Sequence, residues 1–176
     1  MKLIKTDFED LFIIKHNLYV DNRGYFKENF RKQKIENIIG YKLSFCQDNI
    51  VKSHINVLRG LHYQKPPYDQ SKLISISHGK IFDVAVDIRK ESKTYGKYFS
   101  RVLDANDHES LFIPKGFAHG YLTLSDTALV NYKVDNYYNP NSESGISYLD
   151  NFLKIDWGID RNKIIISKKD KDLNSF

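Results

Sequence analysis

The sequence has almost no cysteine, and that shortage excludes two kinds of site. Cys46 is the only cysteine, so neither an intrachain disulfide nor a metal site built from several thiolates is available. Long apolar runs are also missing, because no stretch approaches the ~20 uninterrupted apolar residues that a membrane helix requires. The N-terminal stretch includes Asp7, Glu9 and Asp10 and therefore lacks the apolar centre of a signal peptide. A cytoplasmic protein without a membrane segment is predicted.

Dense basic runs, internal repeats, linkers and low-complexity stretches are absent as well. The chain carries 27 Lys and Arg against 22 Asp and Glu, a formal net charge of +5. The positive residues are spread along the chain, and no dense run precedes the short Lys168-Lys169 tail. This distribution argues against a nucleic-acid surface and favours a modest attraction to anionic small molecules.

What the chain does contain is a strand-like pattern, in a length that suits one domain covering residues 1–176. Of the 176 residues, 41% are apolar and 14% aromatic, which is enough to build a core. Apolar and polar residues alternate with a period of two, most clearly in Ile81–Ile88. The same pattern predicts strands at Leu43–Val51, Ile74–Ser77, Tyr98–Leu103, Ser110–Ile113, Gly120–Leu124 and Leu129–Val134.

Turn signals and one short helix complete the predicted fold. His78-Gly79 predicts the tight turn of a hairpin between the strands on either side. Apolar residues between Phe30 and Ile39 have helical spacing, and Gly40 supplies a stop. Many short strands with turns every ~8–12 residues are typical of a sandwich or jelly-roll barrel. The prediction is an all-β jelly-roll barrel with a few short helices.

Five polar residues on or beside these strands carry the chemistry that the sequence suggests. Arg59 and His62 lie three positions apart, and Lys72, His119 and Tyr132 follow. A His is a natural base near neutral pH, a Lys stabilises a developing oxyanion, and a Tyr can return a proton to the far face of a carbanion. If they converge in the mouth of a barrel, these groups predict proton abstraction beside a carbonyl, on a phosphorylated ligand.

Each of these residues also has a structural interpretation. A His on a strand is more often a satisfied structural residue than a base, and His119 could hold a turn. Tyr132 is one of twelve tyrosines and could simply belong to the core. Asp83 and Asp87 are expected to organise hydrogen bonds or ion pairs.

One motif raises the question of a metal. The stretch Pro114–His119 resembles the second metal motif of the cupin barrels. Metal-binding cupins also carry a His-x-His pair and a Glu in their first motif, whereas this chain has His62-Tyr63-Gln64. Fewer than three good ligands remain, too few for a stable catalytic site. A cupin-like barrel without a metal is predicted.

Ordered motifs cover the chain from about Asp21 to Asp170: Asp21–Glu28, Gln47–Asn49, Arg59–Gln64, Lys72–Leu73, Phe82–Arg89, Ile113–Gly120, Tyr132–Lys133, Glu143–Ile146 and Ser167–Asp170. In this order they resemble those of the dTDP-4-dehydrorhamnose 3,5-epimerases. The resemblance implies a cofactor-free, cupin-type enzyme that inverts the two carbons flanking the C4 ketone of dTDP-4-keto-6-deoxyglucose, giving dTDP-4-keto-rhamnose. It also implies a homodimer in which exchanged strands complete each pocket.

The resemblance further implies a role for each matched residue. His62 would be the base, Asp170 its hydrogen-bonded partner, Tyr132 the opposing acid and Lys72 the partner of the enolate oxygen. Substrate binding is implied for the nucleotide pocket Arg23, Phe26, Glu28, Gln47 and Asn49, for Arg59 and His119 near the diphosphate or sugar, for Tyr138 against the base, and for Glu143.

Three alternatives stay open at this stage. Some relatives invert one carbon only, or act on another nucleotide-linked 4-keto sugar, including GDP-linked ones. A related cupin reaction moves the ketone between C4 and C3, and an inert sugar-nucleotide-binding barrel would keep the same pocket. Departures from the family pattern are Asn56 in place of Gly, Val134 in place of Cys, and the missing Pro after Asp150. They bear on loop geometry rather than on the proposed chemistry.

Overall fold

The computed structural model describes residues 1–176 and is dominated by short antiparallel strands, as predicted. The strands are β1 (Lys2–Lys5), β2 (Phe12–Lys15), β3 (Leu18–Asp21), β4 (Gly24–Lys27), β5 (Gln47–His54), β6 (Leu58–Gln64), β7 (Lys72–His78), β8 (Lys80–Asp87), β9 (Tyr98–Asp104), β10 (Glu109–Ile113), β11 (Phe117–Thr123), β12 (Thr127–Val134) and β13 (Glu143–Gly145). The helices are α1 (Lys32–Ile39) and α2 (Lys168–Lys171), with single 3₁₀ turns at Ala105–Asp107 and Arg161–Lys163. Neither helix could span a lipid bilayer.

Two sheets form the barrel. One has six strands in the order β1-β2-β10-β7-β12-β5, and the other has five in the order β13-β6-β11-β8-β9. Every pairing between these strands is antiparallel. The hairpin β3–β4 pairs with neither sheet. This two-sheet arrangement is the predicted jelly-roll barrel.

The barrel interior is filled by residues that alternate along the strands. On β8, Ile81 and Ala85 belong to the cluster that both sheets share, while Val84 and Val86 belong to a second cluster outside the five-stranded sheet. Asp83, on the inward-facing side of the same strand, has no exposed surface. The period of two therefore separates the inward-facing from the outward-facing residues of β8, as the sequence predicts. It also places a carboxylate inside the barrel.

The outer faces of both sheets are covered by segments that are not part of the barrel. Ile35 and Ile39 of α1 pack against Leu73 and Phe112 of the six-stranded sheet. The segment 146–166 covers the five-stranded sheet with Trp157 and its neighbours. The predicted helix is confirmed, and it ends before Gly40 as expected.

The predicted hairpin at His78-Gly79 is wrong. β7 pairs with β10 and β12, whereas β8 pairs with β9 and β11, so the two strands lie in different sheets. A tight turn and a crossing between two sheets carry the same local signal, because both need a sharp reversal between alternating segments. The turn thus closes one edge of the barrel instead of a hairpin.

The predicted strand at Leu43–Val51 is displaced. The observed strand β5 runs from Gln47 to His54. Leu43 instead packs beneath α1, and its N–H donates to Glu36 Oε1 at 2.9 Å. A buried Leu contributes the same apolar signal to a strand or to the packing around a helix, so periodicity alone extends the strand too far.

Candidate active site

A cavity of about 660 Å³ lies between the two sheets. Side chains from β6 and β11 line one wall, side chains from β7 and β12 line the other, and residues 165–170 add a third. Val130 and Tyr121 belong both to this lining and to the apolar cluster inside the barrel. The floor of the cavity is therefore the top of the hydrophobic core.

His62 and Asp170 form a hydrogen-bonded pair in the cavity wall. His62 Nε2 lies 2.8 Å from Asp170 Oδ1, and the Gly60 N–H donates to Asp170 Oδ2 at 3.2 Å. Burial acts to raise the pKa of Asp170, but the bonds from His62 and Gly60 outweigh it and hold that pKa below its ordinary value. The carboxylate is thus kept ionised against one ring nitrogen, and Nδ1 of His62 makes no hydrogen bond within the protein.

Strand β6 can present these groups because it approaches β11 unusually closely at Gly60. Gly60 has φ +115°, and a Cβ there would lie 2.6 Å from Gly120 Cα and 2.7 Å from His119 O. Only a residue without a side chain fits both the backbone angle and the space. The close approach turns the Gly60 N–H towards Asp170 and puts His62 opposite His119 across the pair.

Lys72 opens β7 at the same cavity. Its Nζ donates to the backbone oxygen of His62 at 3.4 Å. Burial lowers the pKa of Lys72 to about 8, and the charges of Asp83 and Glu143 oppose that change. An ammonium group with little solvent beside it interacts strongly with a negative oxygen that develops nearby.

Tyr132 reaches the cavity from β12, in the sheet opposite His62. The side chain is half-buried, and its hydroxyl makes no hydrogen bond within the protein. Burial raises the pKa of Tyr132, and the positive charge of Arg59 partly offsets this. The phenol therefore stays protonated at neutral pH and available to a ligand.

Arg59 is held in the cavity wall by a short polar chain. Its Nε donates to Ser53 Oγ at 3.0 Å, and Ser53 Oγ lies 3.2 Å from the hydroxyl of Tyr121. Tyr121 is a lining residue that the sequence analysis missed. The available signal was the period of two on β11, which puts Tyr121 on the same face as His119.

His119 lines the cavity but is tied to the barrel interior. Its Nε2 lies 2.9 Å from Asp83 Oδ2, and both side chains are buried. Asp83 thus organises a hydrogen bond, as predicted, while its Oδ1 has no partner in the protein.

Glu143, Tyr138 and Lys169 form a second polar cluster at the rim. The hydroxyl of Tyr138 and the ammonium of Lys169 each donate to Glu143 Oε2 at 2.5 Å. Burial acts to raise the pKa of Glu143, but the two donors hold it below its ordinary value. Lys169 was missed, because a Lys in a basic tail gives no signal that the fold brings it to β13.

Five predicted binding residues do not line this cavity. Arg23 and Phe26 lie on the exposed β3–β4 hairpin, where Phe26 is 66% exposed. Glu28 follows the hairpin and pairs with Lys34 at 2.7 Å. Gln47 and Asn49 lie on β5, and Gln47 Oε1 accepts a long bond of 3.4 Å from the N–H of the lining residue Tyr138. The first three are separate from the cavity, and the last two adjoin it.

No group of three or more His, Cys, Asp or Glu side chains is arranged to hold a metal ion. His62 and His119 are each committed to a carboxylate instead.

Comparison with known proteins gives a consistent result. Residues 5–176 match the family model described as dTDP-4-dehydrorhamnose 3,5-epimerase. The chain is 47% identical to the dTDP-4-dehydrorhamnose 3,5-epimerase of Escherichia coli K12, over 98% of this chain and 93% of that protein.

Solved structures agree. A dTDP-4-dehydrorhamnose 3,5-epimerase from Elizabethkingia anophelis superposes with a TM-score of 0.96 at 44% identity, covering 100% of this chain and 96% of the other. A dTDP-6-deoxy-D-glucose-3,5-epimerase from Legionella pneumophila, solved in complex with dTDP-4-keto-L-rhamnose, gives 0.94 at 42% identity, covering 99% and 92%. This chain belongs to the dTDP-4-dehydrorhamnose 3,5-epimerase family.

Proposed function

We propose that this protein epimerises C3 and C5 of dTDP-4-dehydro-6-deoxy-D-glucose to give dTDP-4-dehydro-L-rhamnose. The observation that carries the proposal is the position of His62 and Tyr132, which line one cavity from opposite sheets. A base and an acid on opposite sides of a sugar are what inversion of a carbon requires. The family membership and the ligand of the Legionella pneumophila structure support the choice of substrate.

The first step is removal of a proton beside the C4 ketone. Nε2 of His62 faces Asp170, so Nδ1 is the nitrogen left for the substrate. The C–H electron pair moves into the C–C bond and the carbonyl π electrons move to oxygen, giving an enolate and an imidazolium. Asp170 holds the ring in position and balances the new positive charge, as the carboxylate of a catalytic triad does.

The second step returns a proton to the other face. Lys72 stabilises the enolate oxygen while it carries the charge. The hydroxyl of Tyr132 then gives its proton to the carbon from the opposite side, and the enolate electrons reform the ketone. Each inversion thus moves one proton to His62 and one from Tyr132. Solvent then takes the proton from His62 and returns one to the Tyr132 phenolate, and repetition at the second carbon completes the reaction.

Binding of the substrate involves two groups of residues. In the cavity, Arg59 and His119 lie near the diphosphate or sugar, and Tyr138 with Glu143 form the rim against the base. The nucleotide pocket comprises the five residues outside or beside the cavity: Arg23, Phe26, Glu28, Gln47 and Asn49.

The hairpin residues act in the partner of a homodimer. Tyr19, Val20, Tyr25 and Phe26 are all at least 58% exposed on a hairpin that joins neither sheet. An exposed apolar element of this kind marks an interaction surface, and exchange between two copies would carry Arg23 and Phe26 to a neighbouring cavity. The cytoplasmic location and the absence of nucleic-acid or membrane partners remain predictions from the sequence.

The test is incubation with dTDP-4-dehydro-6-deoxy-D-glucose in heavy water, followed by mass spectrometry and proton NMR. Deuterium at both C3 and C5, with inverted couplings, is the expected result. Deuterium at one carbon would indicate a mono-epimerase, and migration of the ketone to C3 an isomerase. No exchange would direct the search to GDP-linked sugars and then to an inert binding barrel.

His62→Ala provides the matched variant for this test. It should abolish exchange while dTDP still binds, because the nucleotide pocket lies elsewhere. His54→Ala, at an exposed histidine on β5, should behave as wild type. Exchange at the wild-type rate in His62→Ala would remove His62 as the base.

A further inference from the structure

Asp170 depends for its position on contacts far from His62. It lies on α2, which is only four residues long. A helix of one turn is not stable by itself in water. Besides the bonds from His62 and Gly60, the position of the carboxylate depends on how the chain on both sides of α2 is fixed to the rest of the molecule.

Before α2, the chain is fixed to the start of β6. The Ile165 N–H donates to Asn56 O, and the Leu58 N–H donates to Ile165 O, both at 2.8 Å. These bonds form an isolated parallel bridge between Val57 and Ile165. One end of the segment that carries Asp170 is therefore attached to the strand that carries His62.

After α2, the chain is fixed to the turn that follows β13. The Ser147 N–H donates to Asn174 O at 2.8 Å. The Phe176 N–H donates to Asp150 Oδ2 at 2.8 Å. The Phe176 ring stacks on Phe152, with centroids 5.6 Å apart and planes 9° from parallel.

The carboxylate of Asp150 joins the turn and the tail in one group. It is 5% exposed, and its Oδ1 accepts from the N–H groups of Phe152 and Leu153 at 2.9 and 2.8 Å. The other oxygen is left for Phe176. We call the group formed by Asp150, Phe152 and Phe176 the anchor.

Between α2 and the anchor, the chain packs closely against β13. Leu173 lies over Gly145, where an added Cβ would come within 2.7 Å of the Leu173 side chain. Gly145 pairs with His62 across β13 and β6. Leu173 therefore joins the chain between α2 and the anchor to the strand that pairs with β6 at His62.

We propose that Asp150 and Phe176 are positioning residues for catalysis, which act by holding Asp170 against His62. The proposal rests on the function proposed above. Neither residue lines the cavity, so neither touches the substrate. Releasing the anchor lets α2 move, and the imidazole loses the partner that fixes its orientation.

Two variants break the anchor in different ways. Phe176→Ala removes the stacked ring. Asp150→Asn keeps an oxygen for the two N–H groups of the turn but turns an amide towards the Phe176 N–H. Each should lower kcat roughly tenfold, since a displacement of about 1 Å in a catalytic group costs up to ~10²-fold. Binding of dTDP should change less than kcat does, because α2 reaches the rim of the cavity only through Lys169.

Two controls separate positioning from general destabilisation. Phe176→Tyr keeps the ring and should retain kcat within about twofold. Tyr41→Ala removes an aromatic ring of similar exposure, 39% against 37% for Phe176, which packs on Phe112 beyond the other sheet. It should lower the melting temperature without lowering kcat.

The deciding measurement is a double-mutant cycle with Asp170→Asn, following deuterium incorporation at high enzyme concentration. In that background Phe176→Ala should cost less than about twofold, because the interaction it protects is already gone. An equal loss in both backgrounds, or an unchanged kcat in Asp150→Asn, would overturn the proposal. If Phe176→Ala does not fold, Asp150→Asn is carried through the same cycle. Failure of the wild type to incorporate deuterium would instead remove the proposed function.

Discussion

At the scale of single residues, the proposed function gives Tyr132 and His62 different parts in one exchange of protons. We expect Tyr132→Phe to lose inversion by ~10²-fold or more, the usual contribution of a general acid. Deuterium exchange should fall much less, because His62 can still remove the proton and solvent deuterium can return from its own side. NMR of the product in heavy water measures both.

A half-buried tyrosine away from the cavity supplies the control for this variant. Tyr98 packs on the outer cluster of the five-stranded sheet, and Tyr98→Phe should leave both rates unchanged. Equal loss of inversion and exchange in Tyr132→Phe would give Tyr132 a structural role.

The lowered pKa of Lys72 predicts that activity falls at alkaline pH. Burial lowers its pKa to about 8, so the protonated form predominates below pH 8 and is lost as the pH rises through that value. The rate constant kcat/KM, which reports the free enzyme, should fall above pH 8.

Lys72→Arg tests the assignment, because a guanidinium stays charged throughout this range. Its activity should be lower, but it should stay level across pH 8. A limb that remains at pH 8 in Lys72→Arg would assign the titration to another group.

The same residues show how far chemical reasoning from the sequence reaches. His62, Lys72 and Tyr132, which line one cavity, were predicted together because a metal-free proton abstraction needs a base, an oxyanion partner and an acid. Tyr121 was missed although the period of two on β11 places it on the same face as His119. Lys169 was missed because only the fold brings α2 to β13, and such a tertiary contact leaves no mark in the local sequence.

At the scale of elements, the close approach of β6 and β11 makes any side chain at Gly60 destabilising. Gly60→Ala combines a strained backbone angle with a clash, at 2.6 Å from Gly120 Cα. We expect a loss of about 3 kcal/mol in the free energy of unfolding, or roughly 6–12 °C in Tm. Thermal melting followed by circular dichroism measures it.

Gly24→Ala isolates the two contributions. Gly24 also has a positive φ, +125°, but an added Cβ would meet nothing within 4 Å. It should cost only the backbone strain, about 1–2 kcal/mol. Equal losses in the two variants would mean that β6 can retreat from β11.

Helices and strands could be predicted where burial of one face sets the sequence pattern. They could not be predicted where two different structures give the same local pattern. The alternation in β8 and the helical spacing of α1 reflect burial on one side, which sequence periodicity records directly. The turn at Gly79 and the start of β5 depend on which sheet a strand joins and on what Leu43 packs against. Both are decided by long-range pairing, so neither is visible locally.

At the scale of the whole molecule, the proposed dimer predicts complementation between two inactive variants. One variant carries His62→Ala, and the other carries Arg23→Ala with Phe26→Ala. In a mixed dimer with exchanged hairpins, one site combines an intact His62 with an intact hairpin. Random reassociation should restore about a quarter of wild-type activity, since roughly half of the dimers are mixed and each has one working site.

The turnover of the two mixed variants is measured before and after the dimers are mildly dissociated and allowed to reassociate. No recovery in a sample shown to contain mixed dimers would place the hairpin in the pocket of its own chain. The barrel itself could be predicted from its strands, whereas the proposed exchange of hairpins depends on a second copy of the chain. Exposed apolar residues in a sequence do not reveal which surface will cover them.

The shared floor of the cavity and the core has an evolutionary consequence. Val130 and Tyr121 line the cavity and belong to the interior core at once, so a change that reshapes the cavity also repacks the centre of the barrel. Adaptation to a different sugar is therefore coupled to thermodynamic stability at these two positions. Diversification of substrate preference should proceed more freely at the rim and in the hairpin, where a substitution leaves the core intact.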